Sequence, residues 1–271
     1  MCNDILKISF QEDLAGQQDV TSSAIFSDEI DEYKLIAKQD GILCGQQIFA
    51  DAFNYIDNET KVIFHFSDGD KIQKSQQIAI LTGKICSILT AERVALNFLS
   101  HLSGIATKTA AFVHATRGKA TILDTRKTLP GLRHLQKYAV RCGGGQNHRM
   151  GLHDMVMIKD NHIDGAGSIE KTIKLVREKW QNKFKIEVET RNIFEVKQAL
   201  AQKVDVIMLD NMSLETMKQA VKIIDGACLT EASGNMSLER IPQVAETGVD
   251  YISVGELTHT VKAFDFSLRK G

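Results

Sequence analysis

Short runs in which apolar and polar residues alternate occupy the first third of the chain. They include EYKLIAKQDGILCG, KVIFHFSDGDKI and QQIAILTGKI, which carry β-branched or aromatic residues and are bounded by Gly, Asp or Asn. Such runs predict strands of an antiparallel or mixed sheet. From Ile88 to about Arg117, apolar residues such as Leu96 and Leu99 recur at helical spacing. This spacing predicts a helix with a break at Gly104.

Beyond Arg117, apolar runs alternate regularly with amphipathic segments. The runs are ATILDTRK, MVMIKDNH, FKIEVET, DVIMLDN, ACLTEASG and YISVGEL, and most precede a segment with helical spacing such as SIEKTIKLVREKW, NIFEVKQALAQK, SLETMKQAVKIID or SLERIPQVAETG. Ser168, Ser213 and Ser237 stand where helix N-caps belong. These βα units predict a parallel sheet in a TIM-like α/β barrel, complete or incomplete. A doubly wound sheet is the alternative, although no GxGxxG follows the first strand.

The composition is that of an ordinary globular domain. Of the 271 residues, 43% are hydrophobic and 25% are charged, and the net charge is −1. A net charge this close to zero argues against nucleic-acid binding. No apolar run reaches the length of a membrane span, and the N-terminal MCNDILKISFQEDL does not have the pattern of a signal peptide. We therefore expect a soluble, cytoplasmic protein.

Cysteines and histidines give no clear metal or nucleophile signature. The five cysteines are scattered without a CxxC pair, which argues against a disulfide framework and a zinc module. Cys142, beside Gly143, is the one candidate nucleophile, but nothing in the sequence shows that it is activated, and we interpret the cysteines as reduced, mostly buried thiols. His148, His153 and His162 lack the tight HxH or HxxxH spacing that would favour zinc.

Positive charge is concentrated in DTRKTLPGLRHLQKYAVRCGGGQNHR, which covers residues 124–149. Arg133, Lys137 and Arg141 are spaced four residues apart. Charges at this spacing are usually the solvated side of a helix. We interpret these three residues as a solvent-exposed helix face.

Four other cations of this region do not fit a helix face. Arg126, Lys127, Arg149 and Lys159 follow predicted strands or lie beside glycines. In a βα barrel, the residues just past each strand converge on one face, which holds the active site. Arginine binds carboxylates and phosphates through two parallel hydrogen bonds, and lysine supplies a point charge. The four residues therefore predict a ligand with several negative charges.

Two glycine turns and three acidic residues indicate further groups that the site could bind, namely phosphate, sugar hydroxyls or Mg²⁺. The segments ASGN and SVGEL follow the last two predicted strands, where barrels commonly bind phosphate, although a plain left-handed turn explains each equally well. Glu187, Glu189 and Asp210 suit sugar hydroxyls or a Mg²⁺ ion that arrives with phosphates. Salt bridges to Lys127 or Lys159 are the alternative for these carboxylates.

A series of ordered motifs resembles that of the quinolinate phosphoribosyltransferases, also called nicotinate-nucleotide pyrophosphorylases (carboxylating). EDLAGQQDVT and AERVALNFLSHLSGIAT resemble the N-terminal signature and the interdomain helix of this family. DTRKTLPGLRHLQKYAVRCGGGQNHRMGL, followed by IKDNH, is the most specific run. EVET, LDN, EASGN and GVDYISVGELTH follow in the expected order. The resemblance covers nearly the whole chain.

The resemblance implies an activity and an architecture. The reaction is the transfer of a phosphoribosyl group from phosphoribosyl pyrophosphate to quinolinate, which yields nicotinate mononucleotide, pyrophosphate and CO₂ in NAD biosynthesis, with Mg²⁺ as cofactor. The expected fold is an N-terminal α/β sandwich with an interdomain helix over residues 1–103 and an incomplete α/β barrel over 104–271, whose last residues can return to the N-terminal domain. A homodimer that shares its active sites, or a higher oligomer, is the expected assembly.

The resemblance also implies roles for individual residues. Arg126, Arg149 and Lys159 would hold the quinolinate carboxylates, with His148 lining the pocket and Arg93 reaching in from the neighbouring subunit. Lys127 would lie between the two substrates, and Glu189 and Asp210 would hold the ribose hydroxyls and the Mg²⁺ shell. The expected catalytic residues are Lys127, Lys159, Glu189 and Asp210. The remaining expected substrate contacts are Thr125, Ser233, Gly234, Asn235, Ser253, Val254 and Gly255.

Three other functions stay open at this point. A paralogous phosphoribosyltransferase of the same fold would act on a different aromatic acid. A lyase or aldolase would use Lys159 to form a Schiff base. A non-catalytic phosphate-binding barrel would bind a ligand without turnover, but it leaves the cluster of Arg126, Arg149 and Lys159 without a purpose.

Overall fold

The computed structural model describes the backbone of residues 2–271 and the side chains of residues 4–271. The chain forms two compact units. Unit 1 comprises the residues up to 108 together with 130–144 and 260–271. Unit 2 comprises 109–129 and 145–259. The division of the chain at residue 103 that the sequence suggests stays a prediction.

The described residues form the following helices and strands. The helices are α1 (Cys2–Leu14), α2 (Ser22–Ile25), α3 (Gln46–Ile56), α4 (Ile85–Ala115), α5 (Arg133–Cys142), α6 (Asp160–Ala166), α7 (Ile169–Trp180), α8 (Ile193–Ala201), α9 (Leu214–Ile224), α10 (Ile241–Ala245) and α11 (Glu256–His259). The strands are β1 (Ile30–Ala37), β2 (Gly41–Ile42), β3 (Lys61–Phe64), β4 (Lys71–Ile72), β5 (Gln77–Lys84), β6 (Thr121–Leu123), β7 (Val156–Ile158), β8 (Ile186–Thr190), β9 (Val206–Asp210), β10 (Leu229–Ser233), β11 (Tyr251–Ser253) and β12 (Phe266–Lys270).

Unit 1 is built on an antiparallel sheet with the strand order β12-β1-β5-β3. Alternate residues of β1 are buried, so Leu35 is fully covered and lies opposite both Leu268 and Ala79. Helix α3 presents Phe49, whose ring lies 5.6 Å from that of Phe64 on β3. The strands predicted from the alternating runs of the first third of the chain are confirmed.

Helix α4 runs without interruption from Ile85 to Ala115, so the predicted break at Gly104 is wrong. A side chain at position 104 would collide with the backbone carbonyl of Lys262. The glycine therefore serves the close approach of a neighbouring segment, and the helical hydrogen bonds continue through it.

Helix α5 confirms the helical spacing of its three cations but not their exposure. Arg141 is exposed, whereas Lys137 is only 1% exposed and lies on the buried side of the helix with Gln136 and Val140. The interpretation of the three cations as a solvent-exposed face is therefore wrong for Lys137.

Unit 2 is a parallel six-stranded sheet with the order β6-β11-β10-β9-β8-β7. Each strand from β7 to β10 pairs with its successor along the chain, and β11 pairs with β6, the first strand of this unit. On the other side of β6, Leu123 forms an isolated parallel bridge with Gln146. This circular order is that of an incomplete barrel and not of a doubly wound sheet.

Two of the three predicted N-caps are confirmed. The side chains of Ser168 and Ser213 accept hydrogen bonds from backbone N–H groups in the first turns of α7 and α9. Ser237 caps no helix, because α10 begins only at Ile241 with Pro242 in its first turn. A proline has no N–H and is tolerated at the start of a helix, so the helix begins beside it.

None of the helices in the described residues combines the length and the apolar character that crossing a membrane requires.

Candidate active site

A cavity of about 880 Å³ lies in unit 2 at the carboxyl ends of the parallel strands. It contains most of the residues that the sequence singles out. The predicted site residues that line it are Thr125, Arg126, Lys127, His148, Arg149, Lys159, Glu189, Asp210, Ser233, Gly234, Asn235, Ser253 and Gly255. The structure thus gathers these side chains around one space, while their individual roles stay predictions.

Two predicted residues lie elsewhere. Arg93 is an exposed residue of α4 in unit 1. Val254 is 1% exposed, and its backbone N–H donates to the carbonyl of Leu123 at 2.9 Å. Val254 therefore fixes the turn after β11 without lining the cavity.

Several lining residues were missed by the sequence reasoning. They are Met157, Met208, Asn211, Met236, Ser237, Glu256 and His259. A signal existed for two of them. Met157 and Met208 each precede a predicted strand-end residue by two positions, and side chains two residues apart on a strand point to the same face. Glu231, which the sequence places among the converging strand ends, also lines the cavity.

The buried carboxylate of Asp124 positions the segment that follows the three glycines. Asp124 is fully buried at the end of β6, and it accepts hydrogen bonds from the side-chain amide of Asn147 at 2.5 Å and from the backbone N–H of His148 at 2.9 Å. These bonds hold His148 and Arg149 at the cavity wall although their segment belongs to no regular strand or helix.

Two guanidinium groups share one side of the cavity. Burial and the positive charge of Arg126 both lower the pKa of Arg149, and the carboxyl groups of Glu187 and Asp154 oppose this effect. Arg149 also donates to the carbonyl of Met155 at 3.3 Å. Adjacent cations repel each other in a partly desolvated site. This arrangement therefore favours the binding of an anion between or beside them.

His148 lies between two acidic side chains inside the barrel. Its Nε2 is 3.1 Å from Oε2 of Glu187 and 3.3 Å from Oε2 of Glu231, and both glutamates are almost fully buried. Burial alone lowers the pKa of His148, but the hydrogen bonds and charges of the glutamates outweigh it and raise this pKa to about 10. Burial also raises the pKa of Glu187. The group therefore holds an extra proton at neutral pH, and its pKa values belong to the three side chains together.

The raised pKa of His148 would by itself put this proton on the imidazole ring, but the hydrogen-bond geometry places it on Glu187. The backbone N–H of Arg149 donates to Nδ1 of His148 at 2.7 Å, so Nδ1 must keep its lone pair. The single Nε2–H of the ring then faces two carboxyl groups, each of which has an Oε1 without a hydrogen-bond partner among the described residues. Two ionised carboxylates that both lie within hydrogen-bonding distance of the same Nε2 would repel each other, and a proton on Glu187 removes that repulsion.

Ion pairs and turns at the mouth are more open to solvent. Lys159 Nζ donates to Glu189 at 2.9 Å, which realises the salt bridge considered as an alternative. Asp210 accepts a hydrogen bond from the side-chain amide of Asn211 at 2.7 Å. These groups can exchange one polar partner for another at little cost, because water reaches them.

Both predicted glycine turns are tightly packed. Gly234 has a φ of +96°, and a Cβ there would collide with the amide of Asn211. A Cβ on Gly255 would lie 3.0 Å from Cδ of Lys127. The glycines thus allow the backbone to approach the cavity closely, whereas the helices α10 and α11 that follow are too short to add a substantial dipole.

The histidines His148, His153 and His162 do not gather into one metal site in the described residues, whereas the carboxylates at the mouth suit magnesium. His148 faces glutamates, His162 accepts a hydrogen bond from the Lys159 N–H at 2.9 Å, and His153 is exposed, so the three histidines are each engaged differently. Glu189 and Asp210 offer carboxylate oxygens at the cavity mouth, which are ligands that suit Mg²⁺ bound together with phosphates.

Two family models match the chain. They are described as the quinolinate phosphoribosyl transferase N-terminal domain, which matches residues 19–103, and the C-terminal domain, which matches residues 105–269. The probable nicotinate-nucleotide pyrophosphorylase (carboxylating) of Bacillus subtilis (strain 168) is 44% identical over 265 residues, which are 97% of this chain and 91% of the relative. The quinolinate phosphoribosyltransferase (decarboxylating) 2b, mitochondrial, of Nicotiana tabacum is 44% identical over 98% of this chain and 81% of its own length.

Solved structures agree with these sequence relatives. The nicotinate-nucleotide pyrophosphorylase from Francisella tularensis has a TM-score of 0.96 with 42% identity, and the match covers 100% of this chain and 96% of that one. The corresponding protein from Ehrlichia chaffeensis has a TM-score of 0.95 with 38% identity over 99% and 98% of the two chains. The chain therefore belongs to the quinolinate phosphoribosyl transferase family.

Proposed function

We propose that this chain transfers the phosphoribosyl group of phosphoribosyl pyrophosphate to quinolinate and releases CO₂, so that nicotinate mononucleotide and pyrophosphate are formed in NAD biosynthesis. The observation that carries this function is the order of the groups around the cavity. Arg126 follows β6 at one edge of the parallel sheet and lies near Arg149, whereas the carboxylates and the two glycine turns belong to β8 to β11, which gives the cavity a cationic side and an opposite side. A dicarboxylate and a sugar polyphosphate are the pair of anions that such a cavity suits.

The cationic side supports quinolinate binding. Arg126 and Arg149 lie close enough for one to lower the pKa of the other, and Lys159 lines the same cavity. Two adjacent carboxylates on a pyridine ring would relieve the repulsion between the guanidinium groups through bidentate hydrogen bonds. His148 and Met157 line this cavity as well, and they offer the ring a partly apolar wall.

The opposite side supports binding of the phosphoribosyl donor. Glu189 and Asp210 can accept hydrogen bonds from ribose hydroxyls, and the Gly234 and Gly255 turns bring backbone N–H groups near the cavity. Mg²⁺ would be held by the substrate phosphates near Glu189 and Asp210 and would supply charge neutralisation of the leaving pyrophosphate. Lys127 adds a positive charge between the two sides, and its backbone is anchored by the Thr258 hydroxyl at 2.8 Å.

The protein accelerates such a reaction by alignment and fixed charge. As pyrophosphate leaves, positive charge develops at the ribose carbon, where the carboxylates of Glu189 and Asp210 can stabilise it. The pyridine nitrogen attacks this carbon, and the quaternised ring then loses its 2-carboxylate because the positive nitrogen stabilises the electron pair that remains. That carbanion takes up a proton. This sequence requires no nucleophile from the protein.

Assembly and location are further parts of the proposal. A homodimer in which Arg93 of one subunit completes the neighbouring site would add a third guanidinium to the carboxylate side. A cytoplasmic location stays a prediction from the sequence.

The deciding experiment is an assay with quinolinate, phosphoribosyl pyrophosphate and Mg²⁺ that follows both nicotinate mononucleotide and CO₂. We expect turnover that requires all three components, and we expect nicotinate not to replace quinolinate. Turnover with another aromatic acid in place of quinolinate would instead identify the paralogous activity. A folded protein that binds both substrates without turnover would contradict the proposal.

A further inference from the structure

Two cysteines of unit 1 meet although they are far apart in the sequence. Cys44 follows β2 and is fully buried, and Cys142 is the last residue of α5 and is half-buried. Their sulfur atoms and a carboxylate oxygen of Asp68 all lie within 4.8 Å of one another. The Cys44 thiol donates a hydrogen bond to the sulfur of Cys142. The two thiols are therefore in contact.

Asp68 joins the two chain segments that carry these thiols. Its Oδ1 accepts hydrogen bonds from the backbone N–H groups of Gly45 at 2.9 Å and Gln46 at 3.2 Å. Its Oδ2 accepts the hydroxyl of Tyr138, one turn before Cys142 on α5, at 2.9 Å. The contact between the cysteines is thus built into the hydrogen bonding of unit 1 and does not depend on side-chain rotation alone.

We propose that Cys44 and Cys142 form a redox pair that closes to a disulfide, with Cys142 as the thiol that reacts first. A disulfide bond is about 2.05 Å long, and the hydrogen bond between the two thiols already holds their sulfur atoms next to each other.

Three features favour this chemistry over a metal site. A structural zinc site takes four ligands, whereas this cluster supplies two thiols and one carboxylate among the described residues. Both oxygens of that carboxylate already accept hydrogen bonds. The two thiols also differ in the way that a reacting and a resolving thiol must differ, because only Cys142 is reached by solvent.

Electrostatics supports the same order of events. The hydrogen bond from Cys44 lowers the pKa of Cys142 and raises that of Cys44. Cys228 is also half-buried, but burial raises its pKa, with Asp250 and Asp205 adding to the effect. The thiolate is the reactive form of cysteine. Cys142 is therefore the better nucleophile, and Cys228 is a suitable comparison.

The oxidant of the proposed step is a hydroperoxide. The Cys142 thiolate attacks one oxygen of the O–O bond, the bond breaks to release an alcohol or water after protonation, and the sulfur becomes a sulfenic acid. The sulfur of Cys44 then attacks this sulfur, the S–O bond breaks, and the hydroxyl leaves as water with the thiol proton of Cys44. Two electrons pass from the thiol pair to the peroxide. A thiol reductant reverses the disulfide.

The test treats the full-length protein with hydrogen peroxide, blocks free thiols by alkylation and measures its mass before and after digestion. We expect two fewer alkyl groups than on the untreated protein and a cross-linked peptide pair that contains Cys44 and Cys142, both reversed when the protein is reduced before alkylation. Cys44→Ser should stop the reaction at the Cys142 sulfenic acid, which dimedone captures. Cys228→Ser should form the same cross-link as the unchanged protein.

Three outcomes would overturn the proposal. The first is a cross-link that involves other cysteines, and the second is oxidation of Cys142 to a sulfinic acid in the unchanged protein without any cross-link. The third is a zinc ion that copurifies with the protein, is seen in its native mass spectrum, and is lost on Cys44→Ser substitution. Because the first readout needs no variant, a Cys44→Ser protein that fails to fold leaves the test intact.

Discussion

Glu187 and Glu189 lie two residues apart on β8, yet they sit in different electrostatic environments. Glu187 is almost fully buried and faces His148 at 3.1 Å. Glu189 lies nearer the cavity mouth and pairs with Lys159, whose side chain is 46% exposed, at 2.9 Å. We call the group of His148, Glu187 and Glu231 the interior layer, and that of Lys159, Glu189 and Asp210 the rim layer.

The difference between the layers follows from desolvation. Charges in the interior layer have no water to replace a lost partner, so they must be matched by each other or neutralised by a proton. Charges in the rim layer lose little when an ion pair opens, and they can turn toward a ligand. The interior layer is therefore suited to hold the shape of the site, and the rim layer to bind substrates.

The largest loss of stability is expected from His148→Ala, which removes the central side chain of the interior layer. Glu187 and Glu231 would then face each other without the Nε2–H between them. A buried carboxylate that loses its hydrogen-bond donor is left uncompensated, which costs about 3–5 kcal/mol, and we expect the free energy of unfolding to fall by about that much in urea titrations at neutral pH.

His153→Ala is the matched control, because His153 is exposed, and it should change the unfolding midpoint very little. Equal losses in the two variants would mean that the interior layer does not hold the barrel together.

Arg149→Ala should separate binding from stability. Arg149 is partly desolvated beside Arg126, so its removal relieves a repulsion and should leave the unfolding midpoint nearly unchanged. Losing one partner of a desolvated charge pair costs about 2–5 kcal/mol in binding, and we expect KM for quinolinate to rise by at least about 30-fold. Steady-state kinetics with each substrate varied in turn would measure this, with KM for phosphoribosyl pyrophosphate as the internal reference.

Arg269→Ala, which removes an exposed arginine of β12, provides the control for the loss of a positive charge. If this variant raised KM for quinolinate as much as Arg149→Ala, a general charge effect would replace the specific contact.

Asp210→Asn tests the rim layer on the opposite side. A hydrogen bond to a charged group contributes about 1.5–3 kcal/mol, and the amide retains part of it, so KM for phosphoribosyl pyrophosphate should rise about tenfold. KM for quinolinate should stay the same. A change in quinolinate affinity alone would reverse the assignment of the two sides.

Local sequence patterns were sufficient for the sheets and for most of the residues that line the cavity. The apolar runs predict β6 to β11, because a buried strand needs apolar residues on consecutive positions wherever both of its faces are covered. Converging strand ends then place Arg126, Lys159 and Asp210 in one cavity. Met208 was missed as a lining residue because only its two-residue spacing from Asp210 indicates that it shares the face of the site.

Two of the wrong predictions concern contacts that no local pattern contains. Gly104 resembles a helix break, but it admits the backbone of Lys262. Lys137 has the spacing of an exposed helix face, but the packing of α5 in unit 1 buries it. The meeting of Cys44 with Cys142 likewise depends on Asp68, and no spacing rule could have found it.

The smallest change in stability is expected for Glu187→Gln. Its most specific test of the interior layer is how the unfolding midpoint depends on pH. Burial raises the pKa of Glu187 in the folded protein, so the folded state keeps a proton that the unfolded state releases above about pH 4.5. The contribution of this proton to stability is complete below that pH and is lost as the pH rises through the folded pKa.

The unfolding midpoint should therefore fall with rising pH from the acidic side of neutrality onward. Glu187→Gln should flatten this slope, whereas Glu12→Gln, at an exposed position of α1, should not. If the extra proton were on His148 instead, the decline would begin only above about pH 6.5, the usual pKa of histidine, and it would persist in Glu187→Gln because Glu231 would still hold the imidazolium.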